Sequence, residues 1–550
     1  MAQQQNNINV IAPGFKGLNT QDAPVGMDIA FASIADNCVI DKFGRIAVRK
    51  GFAGVTDNPS VLAGSPLETS FVFQSDNGTD YLLAAGGNKI WLQTAGVLTE
   101  LALPVDYPGI TDNNWQFCQL NNVCYMVQEG HNPLKFAESA PGADDWALLD
   151  WTETPDDIPI LPTTPVDPDL SQPNCVTAGF GRLWCGDFTG EKSYITWSNL
   201  LDGDGYALAD PVEPTSGYFD LEEYWPFGYD ECVAIRVHND FLIVWGKQSM
   251  LVYQIDEAGP AEVGTRLVDT IEGIGCAGRD SVQPTGKDVM FLDYTGVRLL
   301  SRTIQEKSIP IGDVSINVRD EIQQEIETTV NRTIRSVYDP DNMFYAVFFP
   351  NTSNSTAYVF DIRTQLENGA FRATRWPDID VLSGGRAPDG ATWFTGVHGF
   401  YVYSGYSDTY TDPVDDVTQK VEAIPMVYQT HPQTFGEPVS LKFPKQVDIT
   451  VVGGRDFDLC LDWAYDYTNK FNGFCKRIIR GTAWEFNTTD PLTEFNTVAE
   501  FSGGLEDLSF EQYNVWGNGR NVRYRFTADV TAEQLSFQEI NIQATMGRII

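Results

Sequence analysis

Basic residues are scarce in this chain, and histidine is scarcer. There are 36 Lys and Arg against 75 Asp and Glu, with 4 His, for a formal charge of −39 and a pI near 4.3. Such a charge argues against nonspecific nucleic-acid binding over the outer surface, because phosphates are repelled. It argues equally against attraction to an anionic membrane. No apolar run approaches the roughly 18 residues that cross a bilayer. The opening MAQQQNNINV has no basic region followed by an apolar one, so a secretion signal is not expected. Nine cysteines, an odd number with no CxxC pair, do not make a disulfide framework; most lie in apolar runs such as LNNVCYMV and GRLWCGDF and read as buried thiols.

Motifs of chemistry are missing too. His131, His238, His398 and His431 stand in no metal-ligand spacing, and there is no nucleophile elbow or phosphate loop. GFGRLWCG has its third glycine at Gly186, which breaks the dinucleotide spacing. In DGDGYALADPVE, Asp202, Asp204 and Glu213 match positions 1, 3 and 12 of a calcium loop, but Tyr206 and Ala207 stand where a ligand and a glycine belong. The reading is of no catalytic residue, no metal and no cofactor.

What is present is a succession of short strands. Seven hairpin units align by their first turns, at Asn77, Asn121, Gly181, Asn239, Gly286, Asp341 and Asp389, spaced 44, 60, 58, 47, 55 and 48 residues apart. A period of roughly 40 to 60 residues with hairpins in each unit marks a β-propeller, here of six or seven blades. The expected fold is therefore all-β, with the propeller over 56–417. One amphipathic helix is expected near 315–331, where Ile322, Ile326, Val330 and Ile334 recur every four residues and Asp313 or Ser315 could cap it. Two acidic loops interrupt the repeats, 141–173 with eight acids and 200–231 with nine, neither holding Lys or Arg. Their aromatics argue for packed loops rather than free linkers. From 418 to 550 the strands lengthen and alternate, as where Val522, Tyr524 and Phe526 face one way and Arg523 and Arg525 the other.

The stretch GFKGLNTQDAPVGMDIAFASIADNCVIDKFGRIAVRKGF, residues 14–52, resembles the N-terminal segment of the tail nozzle proteins of short-tailed bacteriophages, also called tail tubular protein B; packaged-DNA stabilisation proteins look related. The resemblance rests on Gly17-Leu18-Asn19, the small-residue run Ala32 to Asn37, and Gly44-Arg45 before Arg49-Lys50-Gly51. The closing GRNVRYRFTAD…FQEINIQATMGRII is similar to the family's last segment. The resemblance implies a structural virion protein rather than an enzyme. It would be a homo-hexameric ring at the tail tip, assembled in the host cytoplasm and bound to the tail adaptor and in some cases to tail fibres. It would retain and then conduct viral DNA without specific binding or membrane insertion. It also implies a β-rich platform built from 1–55 and 418–550. The alternative is a tail-associated propeller glycosidase or receptor-binding protein acting on host polysaccharide.

Two groups of residues follow as candidates. Lys42, Arg45, Arg49 and Lys50 crowd nine positions of an acidic chain and, with Ile46 and Val48 on the opposite face of a hairpin, suit a subunit or adaptor interface. Asp202, Asp204, Glu222 and Glu223 are the candidates for channel lining or gate.

Overall fold

A computed structural model describes residues 5–547 except 26, 141, 143–144, 152–153, 158–167, 207–215, 260–261, 287, 307–312, 330–332, 388–389, 412–418, 454–456 and 479–507. Short antiparallel sheets follow one another along the chain and close into a β-propeller of seven blades. Blades 1 to 4 are four-stranded and begin at Thr69–Gln74, Gln116–Leu120, Pro173–Gly179 and Cys232–His238. Among the described residues blade 5 has three strands, Gln283–Pro284, Val289–Asp293 and Gly296–Leu299, and runs on into the helix Leu300–Glu306. Blade 6 comprises Arg335–Asp339, Phe344–Pro350, Ser355–Gln365 and Phe371–Ile379. Blade 7 starts with Val381–Arg386, which packs between Arg335–Asp339 and Thr69–Gln74 and so closes the ring.

The turns explain the period. Asn121 and Asn239 link first and second strands at φ 54° and 53°, and Gly181 and Gly286 do so at 66° and 87°. Asn tolerates this left-handed backbone and Gly adopts it freely, so each unit reverses tightly there. Between blades the faces are filled by large apolar groups. Trp184 packs with Leu242 and Val244, and Trp245 with Phe291, all fully buried. A single blade could not cover either face, which is why the ring must close.

Closure uses the N-terminal segment. Phe52–Gly54 pairs with Gly399–Tyr403 as the fourth strand of blade 7, and the Phe52 ring lies edge-on to Phe394 and Trp376 at 5.2 and 6.0 Å. Residues 52–54 thus belong to the propeller, not to the platform expected over 1–55.

The chain ends form a two-sheet body. In one sheet, Lys442–Gly453 and Gln5–Ile11 pair with the long strand Leu535–Met546; Leu508–Asn514 flanks the first, and the hairpin Cys38–Ile40/Ile46–Val48 extends the other side. The second sheet runs from Phe31–Asp36 through Ile424–Thr430, Val522–Val530 and Asp458–Tyr465 to Asn472–Arg477. It joins blade 6 through Phe31–Asp36, where Arg375 pairs with Asp36 in the ladder and by a 2.9 Å salt bridge. Val522, Tyr524 and Phe526 are buried against Ile540, Ile542 and Phe537 of the other sheet, while Arg525 lies over the Phe471 ring on the other face at 4.0 Å. The same core reaches Met290, Leu292 and Val297 of blade 5.

Two expectations are corrected. The helix runs only from Arg319 to Thr328, after a 3-10 turn Ile316–Val318, and Ile334 leads instead into blade 6. Asp313 does not cap it; its carboxylate accepts from Ser315 N and Oγ and from Arg319 Nε. And not every cysteine is free: Cys460 and Cys475 face each other across adjacent strands and form a disulfide, while the other seven are unpaired and mostly buried.

Candidate functional site: the propeller axis

The innermost strands carry residues whose side chains meet around the axis. Midway along it stands a buried charge cluster. The Asp280 carboxylate pairs with Arg279 at 2.9 Å and with Arg335, and Gln116 donates to it at 3.3 Å. Arg279 also donates to Asn174 O at 2.7 Å and Asn114 O at 2.9 Å, and Arg335 to Asn114 Oδ1 at 2.6 Å. Blades 2, 3 and 6 are thereby tied to the segment that leads into blade 5. Burial alone would push the Asp280 carboxyl up; the two guanidiniums more than offset it and hold it below the usual range.

On one side of this cluster the axis carries both signs of charge, with Arg335 and Arg279 of the cluster lining its two cavities beside the acids. Glu68, Asp112, Asn114 and Thr333 line a cavity of about 410 Å³. Glu129, Asp187 and Glu231 line another of about 330 Å³, balanced there by Lys192, Lys247 and Arg279. Glu68, Asp112, Asn114, Asn174, Glu231 and Thr333 lie at or just before the starts of inner strands, while Glu129, Asp187 and Lys247 come from the ends of second strands and the turns that follow them, and Lys192 from the start of a third strand. Lys192 bridges Asp187 and Glu129 at 2.6 and 2.7 Å, and Lys247 holds Glu231 at 2.5 Å. Asp187 is 6% exposed, and burial raises its carboxyl above the usual range despite Lys192 and Asn174.

On the other side the axis is basic. A cavity of about 520 Å³ is lined by Arg236, Arg279, Arg335 and Arg386, with Asp280 the single acid among the described residues. Arg386 lies over the Tyr338 ring at 5.9 Å. Burial pulls the Arg236 guanidinium below the usual arginine range.

The residues singled out from sequence lie elsewhere. Arg45 and Arg49 are each 2% exposed and paired within the chain. Arg45 Nε donates to Asp41 at 2.6 Å; Arg49 holds both oxygens of Asp408 and donates to Asn37 Oδ1 at 2.8 Å. They brace the fold and are not surface cations for a partner. The reason is that Ile46, Ala47 and Val48 are all buried, so the hairpin has no open face on which the arginines could stand. Lys42 and Lys50 make no ion pair among the described residues and lie over the rings of Phe43 and Tyr403 at 4.9 and 5.8 Å.

None of the acidic quartet lines the axial cavities. Asp204 is half-buried and pairs with Lys135 of blade 2, and Asp202 is exposed nearby. Glu222 and Glu223 are exposed on a 3-10 turn just after the outermost strand of blade 3. Glu213 and much of both acidic loops lie outside the described residues. Among the described residues no three His, Cys, Asp or Glu side chains converge as metal ligands.

The axial arginines went unnoticed in the sequence. A signal existed: Arg236 in CVAIRVH, Arg335 in RSVYD and Arg386 in VLSGGR each fall in the first strand of a repeat, in a chain poor in base.

No family model and no curated protein matches the chain. Solved structures do. One is the extracellular domain of a hybrid two-component system from B. thetaiotaomicron, at 9% identity and TM-score 0.37, covering 63% of this chain and 41% of that one. This chain thus spans less than half of that protein. Streptogramin B lyase matches at 13% and 0.32, over 62% of this chain and 92% of that. YCF48 bound to D1 peptide matches at 10% and 0.32, over 68% and 96%. At such scores the fold rests on the sheet topology described above.

Proposed function

We propose that this chain is a structural subunit of the tail nozzle of a short-tailed bacteriophage: a hexameric ring that closes the tail tube, retains packaged DNA and conducts it on ejection. One observation carries the reading. The two stretches that resemble nozzle proteins stand at opposite ends of the chain, yet they are neighbours in one sheet. Ile46 and Ala47 pair with Phe537 and Ser536, and Gln5–Ile11 runs along the same C-terminal strand. A segment shared with a family has reason to persist at both ends when the ends build one body.

Two further features support assembly into a ring. Asn472–Arg477 and Leu508–Asn514 are the outer strands of their sheets among the described residues, and they present Phe474 and Phe510, exposed by 52% and 64%. Exposed aromatics on edge strands are a liability in a monomer and an asset at an interface. The paired roles of Arg45 and Arg49 leave Lys42 and Lys50 as the cations of the hairpin that can meet an acidic neighbour.

Native mass spectrometry of the purified protein, with electron microscopy of the virion, tests the proposal. A six-fold ring at the tail tip is expected. A trimer, or a place on a lateral fibre, overturns it.

A second reading, a tail-associated propeller glycosidase, has one observation behind it: the buried Asp187 with its raised carboxyl, in the same axial cavity as Glu129, as a general acid requires. Release of reducing ends from host polysaccharide, abolished by Asp187→Asn, would establish it.

A further inference from the structure

We infer that the basic half of the propeller axis is a binding cup for a small oxyanion, phosphate or carboxylate, with the Arg236 guanidinium as its main contact. The cup stands apart from the nozzle reading and holds whether or not that reading does.

Charge is the first argument. Among the described residues four arginines and one aspartate line the cavity, a formal +3 from 4 − 1, inside a chain of −39. Asp280 is shared between Arg279 and Arg335, which leaves Arg236 and Arg386 without an acid partner among the described residues. Arg236 makes no hydrogen bond or ion pair to a described residue; its electrostatic neighbour is the Cys118 thiol. Arg236 is half-buried with its guanidinium open to the cavity, where an anion would supply the counter-ion that no described residue provides.

The second argument is independent of charge. Thr69 Oγ1, Ser70 Oγ and Trp115 Nε1 belong to residues lining the same cavity, are buried, and have no hydrogen-bond partner. Each can donate. Buried donors are normally satisfied, and these three lie closed off just behind the cavity wall, where a small side-chain shift would offer them to a ligand rich in acceptor oxygens.

Shape is the third. The Arg279–Asp280–Arg335 cluster lines this cavity, and its arginines also line the two cavities on the other side, so the cluster stands between them as a floor. About 520 Å³ suits a compact anion and lies within the range of small-molecule pockets.

Calorimetry of the full chain with inorganic phosphate and with citrate, at constant chloride, tests the cup. Saturable binding of at least one probe, at one site per chain, is expected. Phosphate alone, citrate alone, or mutual competition identifies the oxyanion. Arg236→Met should weaken binding at least tenfold. Its melting temperature in ligand-free buffer should match or exceed that of the parent, because an uncompensated charge is gone. Ligand should raise the melting temperature of the parent and leave that of the variant unmoved. Should Arg236→Met not fold, Arg236→Lys, which keeps the charge and loses the fork, should bind several-fold more weakly. Absence of saturable binding of either probe to the parent, or equal binding by the parent and a folded variant, overturns the inference.

Discussion

Arg49 grips Asp408 with two parallel bonds, Nη1 to Oδ1 at 2.8 Å and Nη2 to Oδ2 at 2.7 Å, with both side chains nearly sealed from water. The pair joins the N-terminal hairpin to the strand Asp408–Thr411 beyond blade 7, and Phe52 N donates to the same carboxylate at 3.2 Å. It fixes the entry of the strand that completes the ring.

Removing one partner of this pair leaves a buried charge alone, which typically costs about 3–5 kcal/mol. Arg49→Met or Asp408→Asn should therefore lower unfolding stability by about that much, and the double variant by less than the sum. Denaturant titration with a proteolysis assay at residues 50–60 checks this. Unchanged stability in both single variants would mean that the grip does not hold the closing strand.

The Asp280 cluster gives a signed pH dependence. The folded-state carboxyl lies below its unfolded value of about 3.9, so its stabilisation is present above that pH and is lost as pH falls through the folded value. The propeller should lose stability steeply below about pH 4. Asp280→Asn should be less stable at neutral pH, with a shallower acid limb. Thermal melts from pH 7 to pH 3 decide it; parallel curves for parent and variant would exclude the cluster as the cause.

His431 gives the opposite region of pH. It is 4% exposed beneath the N-terminal segment, and burial pushes its imidazole below the usual value, with the backbone of Asn19 and Ala32 offsetting only part. The neutral ring is favoured in the fold. Stability is full above the unfolded pKa of about 6.5 and is lost as pH falls from there through the folded value. His431→Leu should flatten the melting-temperature curve between pH 7 and pH 5. A slope unchanged by the substitution would assign it to other groups.

Much of the ring was legible because its cause is local. The turns at Asn121, Gly181 and Asn239 need residues that accept a left-handed backbone, and such residues announce themselves one unit at a time. The axis was not legible because its partners come from different units. Arg279 meets Asn114 and Asn174, 165 and 105 residues away, and no spacing within a blade encodes that. The hairpin misled for a related reason. Alternation of Ile46 and Val48 suggested one open face, but pairing with Ser536 and Phe537 and enclosure by the shared core and by blades 6 and 7 across a small cavity bury both. The closing strand Phe52–Gly54 is likewise a contact across the whole propeller, invisible in three residues. The Cys460–Cys475 bridge was hidden because cross-strand register, not count, brings the thiols together.

The last prediction separates the four cations of the hairpin. Arg45 and Arg49 are held inside the chain, so reversing them should damage folding before it can report on assembly. Lys42 is exposed and Lys50 half-buried, and neither has an ion pair among the described residues. Their cost to the isolated fold on reversal is small, since exposed charges outside pairs contribute little. If an acidic neighbour faces them in the ring or on the adaptor, Lys42→Glu with Lys50→Glu turns attraction into repulsion, and rim charges act chiefly on the association rate and its salt dependence. The double variant should melt within about 2 °C of the parent, a shift under roughly 1 kcal/mol for a chain of this size. It should also give at least tenfold less ring or adaptor complex at low salt, with partial recovery when the matching partner acids are changed to Lys. Native mass spectrometry at two ionic strengths reads both effects. Full assembly at low salt would remove the two lysines from any interface and leave the whole cluster a device of the fold.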